Sequence, residues 1–156
     1  METPRAIEQV VEFHTTFKHP IAKEPSIPPA ERCKLRVDLI AEELDELRAA
    51  IQDKNIVEVA DALCDIQYVL AGAILEFGLG EKFKTLFDEV HRSNMSKACK
   101  TEAEAHSTVS HYKDKENTEA YFINSEGHFL VYRKTDNKTL KSVNYSKARL
   151  AEIVTS

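Results

Sequence analysis

Glycine and proline are scarce in this sequence of 156 residues, with four Gly and five Pro. That excludes a collagen-like or linker-rich chain. Cysteine is scarce as well. Cys33, Cys64 and Cys99 are odd in number and show no C-x-x-C spacing, so free thiols in a reducing compartment fit better than a disulfide framework. Cys64 falls in an apolar helical stretch, where a thiol is expected to act as a small hydrophobe. Positive charge is not in excess. With a formal net charge of −5, the chain is not expected to partner a nucleic-acid backbone, and any bound phosphate calls for local cations or metal ions. No uncharged apolar run approaches the roughly 20 residues of a membrane span. The stretch "METPRAIEQVVEF" has no apolar segment of the secretory kind. The expectation is a cytoplasmic protein that binds neither nucleic acid nor membrane.

What remains is ordinary globular material, 42% hydrophobic and 30% charged. The length suits one domain, 1–156, with a real core. Residues 4–18 place Ile7, Val10, Val11, Phe13 and Phe17 at helical spacing, with Phe13, His14 and Phe17 expected in the packing of that helix in preference to lining a ligand pocket. "HPIAKEPSIPP" must be an extended loop. Three further helices are expected at about Ala30–Ile51, Ile56–Phe77 and Glu81–Ser96, divided by "QDKN" and "GLG". Residues 97–119 are polar and expected to be irregular or a short helix with a loop. "AYFI", "NSEG" and "HFLVYRK" read as strand, turn, strand near 120–123 and 128–134. The predicted fold is an all-α helical bundle, core about 4–97, with a small C-terminal β-appendage at about 118–156.

The second and third helices carry more acid than apolar helices should. At about 100° per residue, Glu43 falls in the middle of the apolar face of the second helix, with Glu46 at its edge and Glu42 on the boundary. The third helix is apolar nearly all round, the mark of a buried helix, except for one ridge of Glu58, Asp61 and Asp65 that continues through Tyr68, Gly72 and Glu76. A short connection makes the two helices antiparallel neighbours, so residues whose numbers total about 107 to 108 stand at one level. Glu43 then meets Asp65, and Glu46 meets Asp61. Four buried like charges need neutralising, and a hard divalent cation such as Mg²⁺ or Mn²⁺ suits an all-carboxylate set. Basic partners are scarce nearby, though Arg36 shares the face of Glu43 two turns away. Asp38, Asp45, Asp53 and Glu76 are expected to be solvated.

"EELDEL" followed by "EVADALCDIQYVL" resembles the all-α nucleoside triphosphate pyrophosphohydrolases, the superfamily of MazG, dimeric dUTPases and phosphoribosyl-ATP pyrophosphohydrolase. Glu43-x-x-Glu46 matches the first half of that family's acidic pattern. Glu58-x-x-Asp61 fits the second half literally, while aligning "DIQYVL" makes Asp65 the closing aspartate. "EVHRSNMSK" and the later "K…LKS.NY" resemble a MazG-like subgroup in which the Asn and Lys of N-x-x-K, here Asn94 and Lys97, contact substrate phosphates. The resemblance implies hydrolysis of a nucleoside triphosphate to the monophosphate and pyrophosphate. Glu43, Glu46, Asp61 and Asp65 would hold metal, with Glu58 as an outer ligand. Glu42 or Glu58 would take a proton from water. Arg92, Lys97, Lys138 and Lys141 would offset phosphate charge. The apolar third helix also points to a homodimer or a dimer of dimers.

Two other readings compete. A di-iron bundle needs Glu-x-x-His on two helices, and no His here has Glu three residues before it. A non-catalytic nucleotide- or metal-binding helical module would share the same ligands as the enzyme.

Overall fold

The computed structural model describes residues 2–156. Among them the elements are α1 (Ala6–Phe17), α2 (Ala30–Gln52), α3 (Ile56–Glu76), α4 (Phe83–Met95), α5 (Glu102–Glu116), β1 (Ala120–Ser125), β2 (His128–Arg133) and α6 (Leu150–Thr155). This is the predicted mostly helical fold with a two-stranded C-terminal hairpin. No helix among the described residues is long and apolar enough to cross a membrane. The chain divides into two compact units, the first ending at Phe83 and the second spanning Lys84–Val154.

In the first unit, α2 and α3 pack as an antiparallel hairpin. The link is short because Lys54 takes a left-handed conformation (φ 54°) and Asn55 caps α3, its side chain accepting from the backbone N–H groups of Val57 and Glu58. α1 lies on the C-terminal part of α3, with Val10 buried against Ala71 and Leu75. The proline-rich segment between α1 and α2 is irregular, as expected. It is tied to the end of α3 by Ala22 N–H to Leu75 O (3.0 Å) and Ser26 N–H to Phe77 O (3.1 Å). Gly78 permits this. Its φ is +69°, and a Cβ there would sit 1.9 Å from the Glu24 carbonyl oxygen.

α3 is not buried all round. Ala71, Gly72, Ile74, Leu75 and Glu76 are buried, but Ile56, Val57, Leu63 and Leu70 are exposed. Cys64 is exposed too, so it is not the core thiol expected of it. The reason is coverage: α1 packs over the C-terminal end of α3, and the N-terminal half has no such cover within the unit. Phe13 and Phe17 also lie largely on the surface of α1, while their neighbour His14 is only 2% exposed.

In the second unit, the polar stretch after Lys97, expected to be irregular or a short helix with a loop, carries a regular helix of 15 residues, α5. Its ends explain it. Thr101 accepts from Glu104 N–H at 3.2 Å, and the Glu104 carboxylate accepts from Lys100 N–H at 3.0 Å, a reciprocal N-terminal cap. Asn117 closes the helix in a left-handed conformation. Only a narrow face is buried, through Ala105 and Thr108, which is why the composition reads as loop. β1 and β2 pair antiparallel from Ala120↔Arg133 to Ser125↔His128. They turn at Glu126 and Gly127, both at positive φ as a two-residue hairpin turn requires. The hairpin packs on α5 through Cys99, Ala105, Val131 and Leu140. Glu104 also accepts from the Ser142 hydroxyl, fixing the segment beyond the hairpin.

Candidate active site

The register of the α2–α3 hairpin is set by an ion network at the open end. Glu76 is 3% exposed, not solvated as expected. Its carboxylate accepts from the guanidinium groups of Arg32 and Arg36. Arg36 Nη2 also donates to His14 Nε2 at 3.2 Å, and His14 Nδ1 donates to Pro20 O at 2.8 Å. The ring is therefore the Nδ1–H tautomer. Burial pushes the His14 pKa down, and the charge on Arg36 adds to this against the contact with Pro20. Burial alone would raise Glu76, but the hydrogen bonds and charges of Arg32 and Arg36 outweigh it and hold the carboxyl below its usual range. Arg36 therefore serves Glu76, not Glu43. Gly72 lets it cross α3, since a Cβ there would lie 2.7 Å from Arg36 Nη1.

Arg32 with Glu76 and Arg36 with Gly72 stand level, which is the register expected from the hairpin. Continued two turns toward the link, it sets Glu43 opposite Asp65 and Glu46 opposite Asp61. Glu43 and Asp65 are half-buried, whereas Glu42, Glu46, Glu58 and Asp61 are exposed. The expectation of four buried acids is thus corrected: the helical wheel finds the right face, but in one chain little covers that face at this level. The charges do interact. Burial pushes the Glu43 carboxyl above its usual range, followed by the charges of Asp65, Glu46, Glu42 and Asp61 in that order. Glu58 sits in the first turn of α3, where Asn55 caps its N–H. Asp38 and Asp45 are exposed in surface pairs with Lys34 and Arg48, as expected, and Asp53 is exposed.

Among the described residues, no three His, Cys, Asp or Glu side chains are gathered closely enough to hold a metal ion. The donor chemistry nonetheless fits a hard divalent cation. The set is all carboxylate, and Glu43, raised first by burial, also feels the charges of Asp65, Glu46 and Asp61.

Beside this acidic stretch, toward the ion network, is a cavity of about 260 Å³. α1, α2 and α3 all contribute to it, with Phe13, His19 and Tyr68 among its walls and Arg36 and Gly72 at its edge.

The basic residues expected at the phosphates belong to the second unit. Lys97 Nζ donates to Asn94 Oδ1 at 2.8 Å. Lys141 Nζ stands 4.7 Å from the Tyr145 ring centroid, and the Tyr145 hydroxyl is 2.9 Å from Ser93 Oγ. The Ser93 contact does most to push the Tyr145 phenol pKa down, and Lys141, Lys97 and Lys147 add to it against burial. Lys97 and Lys141 therefore share a basic cluster. Lys138 does not visibly join it; its backbone N–H donates to Asp136 in the turn after β2. Arg92 is bound to Glu89 and to the carbonyl oxygens of Ser146 and Lys147. That ties down the C-terminal segment, and Glu89 falls to about 2 through its hydrogen bonds from Arg92 and the Arg149 N–H.

The residues missed from sequence are Arg32, Glu76, Tyr145 and Lys147. The same level rule that pairs Glu43 with Asp65 pairs Arg32 with Glu76, so that signal was present. Tyr145 and Lys147 lie in the "NYSK" run, whose docking on α4 has no periodic signature.

A helical hairpin with an acidic centre and an α1 cover defines this chain as a MazG-like all-α protein. A model of the phosphoribosyl-ATP pyrophosphohydrolase family matches residues 10–94, and the chain belongs to that family. The match runs from within α1 through the acidic hairpin to Asn94. The chain is also 29% identical over 128 residues to an uncharacterised protein of Acanthamoeba polyphaga mimivirus. That alignment covers 78% of this chain and 49% of the viral protein, so the chain spans about half the length of that relative.

Proposed function

We propose that this chain hydrolyses a nucleoside triphosphate between its α- and β-phosphates. Water adds across that bond, giving a nucleoside monophosphate and pyrophosphate. The observation that supports the reading is the acidic face of the hairpin, where Glu43 feels the charges of Asp65, Glu46 and Asp61, in a register held by Glu76 and its arginines. These four would hold Mg²⁺ or Mn²⁺, with Glu58 as an outer ligand. Such an ion, when bound, neutralises phosphate charge and acidifies water. Glu42 or Glu58, both exposed beside the centre, takes the proton of the attacking water. Asn94, Lys97 and Lys141, with Arg92 held beside them, suit phosphate oxygens. The exposed apolar residues of α3 favour a homodimer or a dimer of dimers.

The test is a panel of NTPs, dNTPs and phosphoribosyl-ATP with Mg²⁺, separating pyrophosphate from orthophosphate. Pyrophosphate with monophosphate is expected. Orthophosphate with diphosphate as the only products would sink the mechanism, and binding without turnover would mark a binding module.

A further inference from the structure

The second unit holds positive charge that its own acids leave unanswered. Residues 84–154 carry twelve Lys and Arg against ten Asp and Glu, whereas residues 1–83 carry nine against sixteen. Most of those ten acids are already engaged. Asp88 pairs with Lys84, Glu89 with Arg92, Glu119 with Lys134 and Asp136 with Arg133. Glu104 accepts from the Ser142 hydroxyl and the Lys100 N–H. Among the described residues, the lysines in ion pairs are Lys34, Lys84 and Lys134, so Lys97, Lys141 and Lys147 are in none.

Those three gather at one phenol. Ser93 Oγ, 2.9 Å from the Tyr145 hydroxyl, does most to lower the phenol pKa, and Lys141, Lys97 and Lys147 lower it further against burial. A hydroxyl lowers a phenol by donating to its oxygen, which leaves the Tyr145 O–H to donate outward. The segment that carries these groups is fixed, because every backbone N–H from Lys141 to Ser146 is bonded. Lys141 donates to the Tyr112 hydroxyl (3.1 Å), Ser142 to Lys97 O (3.2 Å), Val143 to Thr108 Oγ1 (3.1 Å) and Ser146 to Ser96 Oγ (3.0 Å). Asn144 and Tyr145 close a turn on Ser142. Such fixing lowers the ordering cost of binding. Lys97, Lys141, Tyr145 and Lys147 all lie beyond residues 10–94, the part matched by the family model.

We infer that the second unit carries a pyrophosphate site of its own, with the Tyr145 hydroxyl donating to a phosphate oxygen and Lys97, Lys141 and Lys147 supplying the counter-charge. Three unopposed ammonium groups suit two linked phosphates better than one carboxylate. The choice of pyrophosphate rests on the hydrolysis reading above. The site adds Tyr145 and Lys147 to the residues named there, and it binds without a metal ion.

The full chain is titrated calorimetrically with inorganic pyrophosphate in EDTA, where no divalent cation can bridge the ligand to the acids of α2 and α3. Saturable binding is expected. Tyr145→Phe removes only the hydroxyl and should weaken binding about tenfold, and Lys147→Gln should do about the same. Lys147→Arg should keep affinity within about threefold, and Lys115→Gln, in the last turn of α5, within about twofold. If Tyr145→Phe fails to fold, the exposed Lys147 decides the matter. Affinity unchanged in both Tyr145→Phe and Lys147→Gln overturns the site. An equal loss in Lys115→Gln marks diffuse attraction and overturns it as well. Metal-free binding that needs Tyr145 and Lys147, in a protein that hydrolyses no triphosphate, keeps the site and overturns the hydrolysis. Hydrolysis to pyrophosphate without any metal-free pyrophosphate binding does the reverse.

Discussion

Glu76 is the side chain on which the hairpin register depends. It is buried with one arginine buried beside it and another partly exposed. Glu76→Gln keeps the shape but leaves two cations without their counter-charge. Breaking a buried pair in this way costs about 3–5 kcal/mol, and the lower end is expected because Arg32, 30% exposed, can rehydrate. Urea denaturation at neutral pH measures it. The pH dependence has a definite sign. The folded Glu76 carboxyl lies below its unfolded value of about 4.3, so its contribution is complete above that pH and is lost as pH falls through the folded value. The parent should therefore lose stability faster than Glu76→Gln in that acid window, narrowing the gap between them. A constant gap down to low pH would show that Glu76 acts by packing alone. His14 works in the same direction at higher pH. Its folded pKa is depressed, so stability from the neutral ring declines as pH falls below about 6.5.

Among the elements, those that bury a wide periodic face were legible, and those held by caps and coverage were not. α2 and α3 are readable because apolar residues recur every three or four positions for over five turns. α5 buries little more than Ala105 and Thr108, and its stability at the ends comes from Thr101, Glu104 and Asn117. Such hydrogen bonds leave no hydrophobic period. The wheel also gives the direction of Glu43 and Asp61 without telling what lies opposite, so it mistook a shared face for a buried one. The acidic centre of the hairpin carries its own prediction. Burial and the neighbouring charges raise the folded Glu43 carboxyl above its unfolded value, which destabilises the fold at neutral pH; the penalty shrinks as pH falls through the raised folded value and is gone below about 4.3. Glu46→Gln removes one of those charges. Without metal, the variant should melt at or above the parent at neutral pH and lose that advantage in acid. With Mg²⁺ it should lose most of the parent's rise in melting temperature, because that rise is binding energy for the folded state. A variant that melts lower without metal and keeps its full Mg²⁺ response would make Glu46 an ordinary surface acid.

On the scale of the whole molecule, the exposed apolar residues of the hairpin form a pattern. Val37, Leu44 and Ile51 recur every seven residues on α2, and Ile56, Leu63 and Leu70 do so on α3. In the register fixed by Glu76, Val37 stands level with Leu70, Leu44 with Leu63, and Ile51 with Ile56. Three rungs of large aliphatic pairs therefore run the length of the hairpin. All six residues are exposed, with Leu63 at 52% and Ile56 at 75%. Heptad spacing on paired helices is the geometry by which helices seat into one another's grooves. Burying a side chain of this size contributes about 1.5–3 kcal/mol relative to exposure, so even half of the rungs would favour association strongly against its entropic cost. A second copy of this chain supplies an equivalent ladder, and a two-fold axis would apply one to the other. The expected species in light scattering at micromolar concentration is a dimer or a dimer of dimers. Leu63→Lys places a charge in the middle rung and should shift the protein to monomer. Since the added cover would also deepen the burial of nearby side chains, the monomeric variant should bind Mg²⁺ more weakly if assembly completes the acidic centre, and equally well if that centre is finished within one chain. A parent protein that is already monomeric at those concentrations would remove the ladder's role and leave its six aliphatic residues without an explanation in this fold.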